Sequence, residues 1–204
     1  MKTQTEVRSS AKRETILNAA TASFRDDGYE SASMDRIAEL AGASKRTVYN
    51  HFGSKEALFQ AVVGRVFDEA VALKQVAWDP ARPLEHQLAD FARAKALISQ
   101  DESSLNLYRV VLGVFIKHPE LTQEVMARAA NDESSLVSWL EAADKAGRLS
   151  VPKPELAAKI FWAMASGALF WPQLLEGPMN PEARDVLVDE LVSTFLARYR
   201  SVFG

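Results

Sequence analysis

Apolar residues recur at three- and four-residue spacings along most of the chain, which is the spacing of one face of an α-helix. In the first such stretch Ile16, Ala20 and Phe24 share a face, and Gly28 supplies an end. No segment alternates with the period of two that indicates a half-buried strand. The pattern predicts an all-α fold of about nine helices, the first over residues 12–27.

Two short helices are predicted next, each with a side chain that caps its first turn. Ser33 precedes MDRIAELA, which ends at Gly42, and Ser44 precedes KRTVYNHF, which ends at Gly53. Helices of about eight residues are marginal in isolation, so both must be held by neighbours. Such a pair, joined by a short glycine-containing turn, is typical of a helix-turn-helix whose second helix, here at about 44–52, enters the major groove of DNA.

Longer helices are predicted beyond this pair, separated by the proline-containing segments WDPARP, RLSVPKP and EGPMNP. We expect them at about 54–78, 83–99, 105–118, 119–147, 155–175 and 182–203. The chain is therefore divided into a helix-turn-helix domain over 1–55 and a larger helical domain over 56–204.

The composition is that of a soluble globular protein, with 48% hydrophobic and 25% charged residues among 204. Cysteine is absent, which excludes disulfides, zinc–thiolate sites and thiol nucleophiles. The first residues lack the apolar core of a secretory signal. The longest uncharged run, 160–175, is too short and too interrupted by Gly167 and Pro172 to span a membrane. We expect a cytoplasmic protein with no membrane partner.

The net charge of −3 argues weakly against binding to a polyanion, but the charge is unevenly distributed. Residues 1–55 carry nine lysines and arginines against seven acids, whereas the rest of the chain is acidic. Between residues 40 and 55 there are three cations, Lys45, Arg46 and Lys55, and no acid. This local patch favours contact with nucleic acid.

The second short helix carries side chains suited to reading base edges. Val48 and Phe52 mark its inward face, so Arg46, Thr47 and Asn50 are predicted to point outward. Arg46 can donate two hydrogen bonds to guanine, and Asn50 can pair bidentately with adenine. Thr47 can offer its hydroxyl or pack its methyl group on thymine. The alternative is an ordinary solvated helix face, because exposed cations are common.

Other residues around this helix suit the phosphate backbone, either at the flanks of the inward stripe or at helix N-termini, where free N–H groups favour an anion. The predicted phosphate contacts are Ser33, Ser44, Lys45, Tyr49, His51 and Lys55.

Residues 12 to about 58 resemble the DNA-binding domain of the TetR family of bacterial transcriptional regulators. The matching residues are Ile16, Ala19, Ala20, Phe24, Gly28, Tyr29, Ser33, Ile37, Ala38, Ala41, Gly42, Ser44, Thr47, Tyr49, His51, Phe52, Lys55 and Leu58. The chain departs from the family at Ala32, where many members have a threonine that holds a phosphate. The segments LYRVVLGVFIKHPEL and WAMASGALFW resemble the AefR-like C-terminal subgroup.

The resemblance implies a homodimer that binds a palindromic double-stranded operator, and a C-terminal domain that binds a small-molecule effector. It also implies that the last two helices form the dimer interface and that the fourth helix links ligand to DNA. The first of these helices contains the uncharged run FWAMASGALFWPQLL, and an apolar helix of this kind is expected to be buried in a core or against a partner. The candidate interface residues are Phe161, Ala165, Leu169, Leu187, Leu191 and Phe195.

A ligand pocket in the C-terminal domain would be mainly apolar with a few polar groups, which favours a hydrophobic effector. The candidate lining residues are Phe91, Tyr108, Arg109, Phe115, His118, Trp139, Trp162, Phe170 and Gln173. For each aromatic residue alone, an ordinary place in the core is the stronger interpretation.

Catalytic chemistry finds little support in the sequence. His51 lies on the proposed recognition helix, and the neighbours Glu85 and His86 point about 100° apart on a helix. No glycine-rich phosphate loop or serine elbow occurs. We expect no catalytic residue, metal or cofactor.

These observations together predict a homodimeric repressor that a small, largely hydrophobic effector releases from its operator. Two alternatives remain open: an activator or DNA-organising protein without a ligand, and a helical module that binds only proteins.

Overall fold

The computed structural model describes residues 4–73, 76–97, 102–119 and 134–201. Within these ranges the chain forms nine helical stretches and no named strand, which confirms the all-α prediction. They are α1 (Gln4–Ser31), α2 (Met34–Leu40), α3 (Lys45–Phe52), α4 (Lys55–Leu73), α5 (Leu84–Leu97), α6 (Glu102–Lys117), α7 (Ser134–Lys145), α8 (Pro154–Ala165, Ser166–Phe170 and Trp171–Glu176) and α9 (Pro181–Tyr199). An isolated antiparallel bridge joins Leu149 to Arg200.

The largest differences from the predicted helix ends are at the start of α1 and the end of α4. Helix α1 begins well before residue 12, while its break at Gly28 is as predicted, because this glycine adopts φ 79°. Helix α4 ends at Leu73, whereas Trp78 lies in the following loop and packs edge-to-face on Trp139 at 5.2 Å between ring centroids. Much of the helix predicted over 119–147 and the ends of those over 83–99 and 182–203 lie outside the described residues.

The chain divides into two compact units, each with its own apolar core. Unit 1 comprises Met1–Phe67 and Asn106–Met126, and its core joins side chains of α1 to α4 with part of α6. Unit 2 comprises Asp68–Leu105 and Ala127–Gly204, and its core joins α5, α7, α8 and α9. Helices α4 and α6 therefore each contribute residues to both units.

Helix α8 contains a π-helical segment, Ser166–Phe170. At its end the Trp171 N–H bonds the Ser166 carbonyl, five residues back. Pro172 follows directly. A proline lacks the N–H that a regular helix needs and crowds the preceding turn, so the wider turn accommodates it without ending the helix.

Candidate nucleic-acid interface

The α2–α3 pair is built by two caps and a tight turn. The Ser33 Oγ accepts a hydrogen bond from the Arg36 N–H at 3.2 Å, and the Ser44 Oγ accepts one from the Thr47 N–H at 3.1 Å. Gly42, in the turn, has φ 53°, the left-handed conformation that glycine adopts without strain. Both short helices thus begin and end where the sequence predicts.

The core of unit 1 fixes the rotation of α3. Val48 and Phe52 are buried in the cluster that contains Ile37 and Phe24. Positions 46 and 50 are each two residues from an inward position, about 200° around the helix, so they are turned away from the core. The helix therefore has one packed face and one face available to a partner.

The three candidate base-contacting residues are not equally exposed. Arg46 and Asn50 are exposed, whereas Thr47 is half-buried and its hydroxyl lies 2.7 Å from that of Ser44. No hydrogen bond or ion pair to Arg46 occurs in the described part of the chain. Arg46 and Asn50 are thus the two side chains most available to a base edge.

The candidate phosphate-contacting residues lie around this face in different environments. Tyr49 is 42% exposed, and His51 is half-buried with its ring 6.3 Å from that of Phe52. Lys55 Nζ donates to the Glu30 carbonyl at 3.1 Å and lies 4.5 Å from the centre of the Tyr29 ring.

Lys45 has a carboxylate partner on the neighbouring helix. Its Nζ lies 2.9 Å from Oδ1 and 3.0 Å from Oδ2 of Asp35. This hydrogen-bonded ion pair raises the pKa of Lys45 above its ordinary value. The positive charge of residues 40–55 is therefore partly neutralised by Asp35, an acid outside that stretch.

Ala32, the departure from the family pattern, is buried at the end of α1. The adjacent Ser33 hydroxyl accepts the α2 cap bond and keeps its own proton for another acceptor.

Two basic residues of α1 contact the α2–α3 pair, and the sequence pattern predicts neither contact. Lys12 Nζ donates to the carbonyl oxygens of Ala41 and Gly42 at 3.3 and 2.8 Å. The Arg13 guanidinium lies 4.9 Å from the centre of the Phe52 ring, a cation–π arrangement. No local signal could reveal these contacts, because the partners are about 30 or more residues away.

Helix α4 begins beside this surface with a charged first turn. The Glu56 carboxylate accepts a hydrogen bond from its own backbone N–H and one from the Ser54 hydroxyl, which lowers the pKa of Glu56. The Ser54 Oγ also accepts from the Ala57 N–H at 3.1 Å. These bonds fix the helix start that positions Lys55.

The candidate ligand-pocket residues divide between the two units. Tyr108, Arg109, Phe115 and His118 belong to unit 1, and Phe91, Trp139, Trp162, Phe170 and Gln173 belong to unit 2.

In unit 2 the aromatic candidates form a contact cluster. Phe91 packs edge-to-face on both Trp139 and Trp162, each with ring centroids 6.1 Å apart. Gln173 is buried, donates to the Leu169 carbonyl and accepts from the Met179 N–H at 3.2 Å. Both polar atoms of its side-chain amide are therefore hydrogen-bonded to nearby backbone groups.

In unit 1, Arg109 Nη1 donates to the Asn106 side chain at 2.7 Å, and the His118 imidazole lies 3.3 Å from the Glu30 carboxylate. Phe115 is buried in the unit 1 core, and Tyr108 is half-buried.

A cleft of about 860 Å³ lies between α5 and α9 in unit 2. Its walls combine apolar side chains of both helices with the charged residues Glu85, Arg93, Asp189 and Arg200. No candidate pocket residue lines it.

The candidate interface residues lie mainly in the core of the chain itself. Five of the six are at most 5% exposed within unit 2, and Leu187 is 37% exposed. A partner could not reach the five buried side chains in this conformation. They are Phe161, Ala165, Leu169, Leu191 and Phe195.

The same two helices also carry apolar side chains that the chain leaves exposed. Besides the candidate Leu187, these are Leu156, Ile160, Trp171, Leu175 and Val186, none of which the sequence pattern predicts for the interface.

No cluster of three or more metal-ligating side chains occurs in the described residues. No helix there is long and apolar enough to cross a lipid bilayer.

Comparison with known proteins matches both halves of the chain. Residues 16–62 match the bacterial regulatory proteins of the tetR family, and residues 86–201 match the C-terminal domain of AefR-like transcriptional repressors. The HTH-type transcriptional regulator RutR of Escherichia coli K12 is 30% identical over 157 residues, which cover 76% of this chain and 72% of RutR.

Solved structures show the same architecture. A TetR-family regulator from Mesorhizobium loti superposes with a TM-score of 0.80 at 30% identity, covering 95% of this chain and 98% of its own. The flavonoid-responsive regulator FrrA superposes with a TM-score of 0.77 at 26% identity, covering 94% and 98%. The family and these relatives are transcriptional regulators rather than enzymes. The chain thus belongs to the TetR family of DNA-binding transcriptional regulators, with an AefR-like C-terminal domain.

Proposed function

We propose that this regulator is a cytoplasmic homodimeric repressor that binds a palindromic operator and is released by a small, largely hydrophobic effector. Residues 1–55 form the DNA-binding domain and residues 56–204 the ligand-binding and dimerisation domain. The observation that carries the DNA-binding role is the exposure of Arg46 and Asn50 on a helix whose opposite face is packed and whose first turn is capped. The C-terminal match to repressors supports negative regulation.

On the operator, Arg46 donates to guanine and Asn50 pairs with adenine. The half-buried Thr47 contacts a base through its hydroxyl or packs its methyl group on thymine. Phosphate contacts come from Ser33, Ser44, Lys45, Tyr49, His51 and Lys55. This assignment is supported by the exposure of Tyr49 on α3 and by Ser33 and Ser44, which lie at the N-termini of α2 and α3, where free N–H groups favour an anion.

Dimerisation is proposed through α8 and α9. Their exposed apolar side chains, Leu175 and Val186 most of all, supply a surface that a second copy can bury. Two recognition helices must be about 34 Å apart, or a multiple of this, to enter successive major grooves on one side of a duplex. Dimer geometry is therefore part of DNA recognition.

Release is proposed as a shift between two conformations. An effector that prefers a conformation with misplaced recognition helices draws the population towards it. The clustered aromatic side chains Phe91, Trp139 and Trp162 favour an apolar effector. The similar structure of a flavonoid-responsive regulator suggests aromatic compounds as the first to test.

Fluorescence anisotropy on DNA fragments flanking the gene for this chain tests operator binding. We expect one fragment to bind tightly, with affinity that falls as salt rises, and footprinting to show a palindrome. The double variant Arg46→Ala/Asn50→Ala should lose the preference for that fragment. Lys153→Ala should keep it, since in the described structure Lys153 contributes its backbone carbonyl to the start of α8 and its side chain forms no ion pair. Equal binding to every fragment would contradict a sequence-specific regulator.

Two measurements separate the alternatives. A reporter under the bound promoter should rise when the regulator is deleted; a fall would favour an activator. Thermal unfolding with flavonoids and other apolar aromatic compounds should show a stabilising shift for an effector, whereas a ligand-free DNA-organising protein predicts none. A purely protein-binding module would bind none of the DNA fragments.

A further inference from the structure

The three cationic side chains between residues 40 and 55 have different hydrogen-bonding and ion-pair partners. Lys45 is paired with the Asp35 carboxylate, Lys55 donates to a backbone carbonyl, and Arg46 meets no carboxylate in the described structure. Among the described residues, Lys45 is thus the one of these three cations that forms a hydrogen-bonded ion pair with a carboxylate before DNA binds.

The Asp35–Lys45 pair is exposed, with 60% and 59% of the two side chains accessible. Exposed ion pairs add little to folding stability, because water screens the charges and two long side chains must be ordered. The main effect of this pair is therefore on the charge that α3 presents. Glu39, also exposed on α2, forms an ion pair with Arg36, with 3.4 Å between Oε2 and Nη1.

Loose, sequence-independent binding to DNA is almost entirely electrostatic and releases counterions from phosphates. A lysine held by a carboxylate contributes no net charge to such binding. When α3 is seated in the major groove, a phosphate can replace the carboxylate at the lysine, because the duplex then reaches hydrogen-bond distance.

We propose that Asp35 is a specificity-determining residue. Because Asp35 holds Lys45, the lysine contacts a phosphate only when α3 is bound in the major groove of the operator. In random DNA Lys45 stays with Asp35, and in the operator complex it exchanges Asp35 for a phosphate. Asp35 thereby suppresses binding to the excess of random sites. This inference rests on the proposed operator-binding function.

The test measures affinity for the operator fragment and for a random duplex between about 50 and 200 mM salt, and compares the slopes of log affinity against log salt. Each phosphate contact changes this slope by about 0.9. Asp35→Asn should steepen the slope for random DNA by about 0.9 and leave the operator slope nearly unchanged. Lys45→Gln should reduce the operator slope by about 0.9 and change the random slope much less, while the Asp35 carboxylate left without its partner lowers the affinity for both duplexes.

Two further variants serve as controls. The double variant Asp35→Asn/Lys45→Gln should return the random-DNA slope to that of the unaltered protein. Asp90→Asn makes the same charge change at another exposed ion pair, with Arg82 in unit 2, and should alter neither slope. Thermal unfolding of each variant identifies any loss of fold.

Equal slope changes on both duplexes for Lys45→Gln, or an unchanged random-DNA slope for Asp35→Asn, would overturn the inference while operator binding by the unaltered protein stands. If the unaltered protein does not distinguish operator from random DNA, the proposed function fails and this inference fails with it.

Discussion

Lys12, on the first helix, places its Nζ 2.8 Å from the carbonyl oxygen of Gly42 in the turn between α2 and α3. The same nitrogen reaches the Ala41 carbonyl at 3.3 Å. These carbonyls follow the end of α2 and need a donor, which Lys12 supplies from outside the helix pair. The angle between α2 and the recognition helix therefore depends on a residue that is outside the pair.

Lys12→Gln should lower the free energy of unfolding by about 1 kcal/mol and weaken operator binding, because the turn loses charge-assisted hydrogen bonds. Chemical denaturation and anisotropy measure the two effects. Lys12→Arg should restore much of both, and the salt slope of operator binding should not change, because Lys12 is assigned no phosphate. If Lys12→Gln reduced the slope of log affinity against log salt by about 0.9, the value of one phosphate contact, Lys12 would itself bind DNA phosphate.

Arg46→Ala should relax base preference at one operator position and cost about 1 to 3 kcal/mol of binding free energy, because Arg46 is assigned to a base edge. Lys55→Ala should weaken all sequences alike. Affinities for operators with single base changes test both variants. Identical uniform losses would show that this division between base and phosphate contacts is wrong.

Val186→Glu and Leu187→Glu should each shift the chain towards monomer, because a charge at either of these exposed apolar positions of α9 opposes burial against a second copy. Sedimentation velocity gives the mass. Ile116→Glu is a matched control, since Ile116 is 82% exposed on α6 in unit 1. If the control dissociates the dimer and the α9 variants do not, the interface lies elsewhere.

The stability of the protein should fall in acid partly through Glu56. Its pKa is lowered from 4.5, first by its own backbone N–H and then by the Ser54 hydroxyl. A lowered pKa means that the folded state favours the carboxylate, so this contribution is present at neutral pH and is lost as pH falls below about 4.5 through the folded pKa.

Denaturation curves at a series of pH values should therefore show a smaller acid-dependent loss for Glu56→Gln than for the unaltered protein. Ser54→Ala should reduce the loss partly. An acid dependence identical in all three proteins would assign it to other carboxylates.

The helices and their caps were predictable because they depend on local chemistry. The period of Ile16, Ala20 and Phe24, and the serines at positions 33 and 44, act within a few residues of where they lie. The helix-turn-helix needed no tertiary information beyond that.

Contacts between distant residues were not predictable in the same way. Nothing in the local sequence marks Gln87, yet its buried side-chain amide accepts a hydrogen bond from the Trp139 indole N–H at 3.0 Å and donates to two loop carbonyls. The sequence pattern also cannot tell which apolar face of α8 or α9 enters the core. The structure buries Phe161 and Phe195 and leaves Leu175 and Val186 exposed.

The wide turn in α8 has a further consequence for alignment along the helix. Buried positions in α8 recur at every fourth residue from Ala157 through Ala165 to Gln173. In a uniform helix of 3.6 residues per turn, strict four-residue steps would drift by about 40° each and leave the core. The segment Ser166–Phe170 offsets part of that drift by fitting more residues into one turn. Deleting one residue there would rotate everything downstream by about 100°, so that a gene encoding this protein tolerates substitutions in the segment more readily than changes in its length.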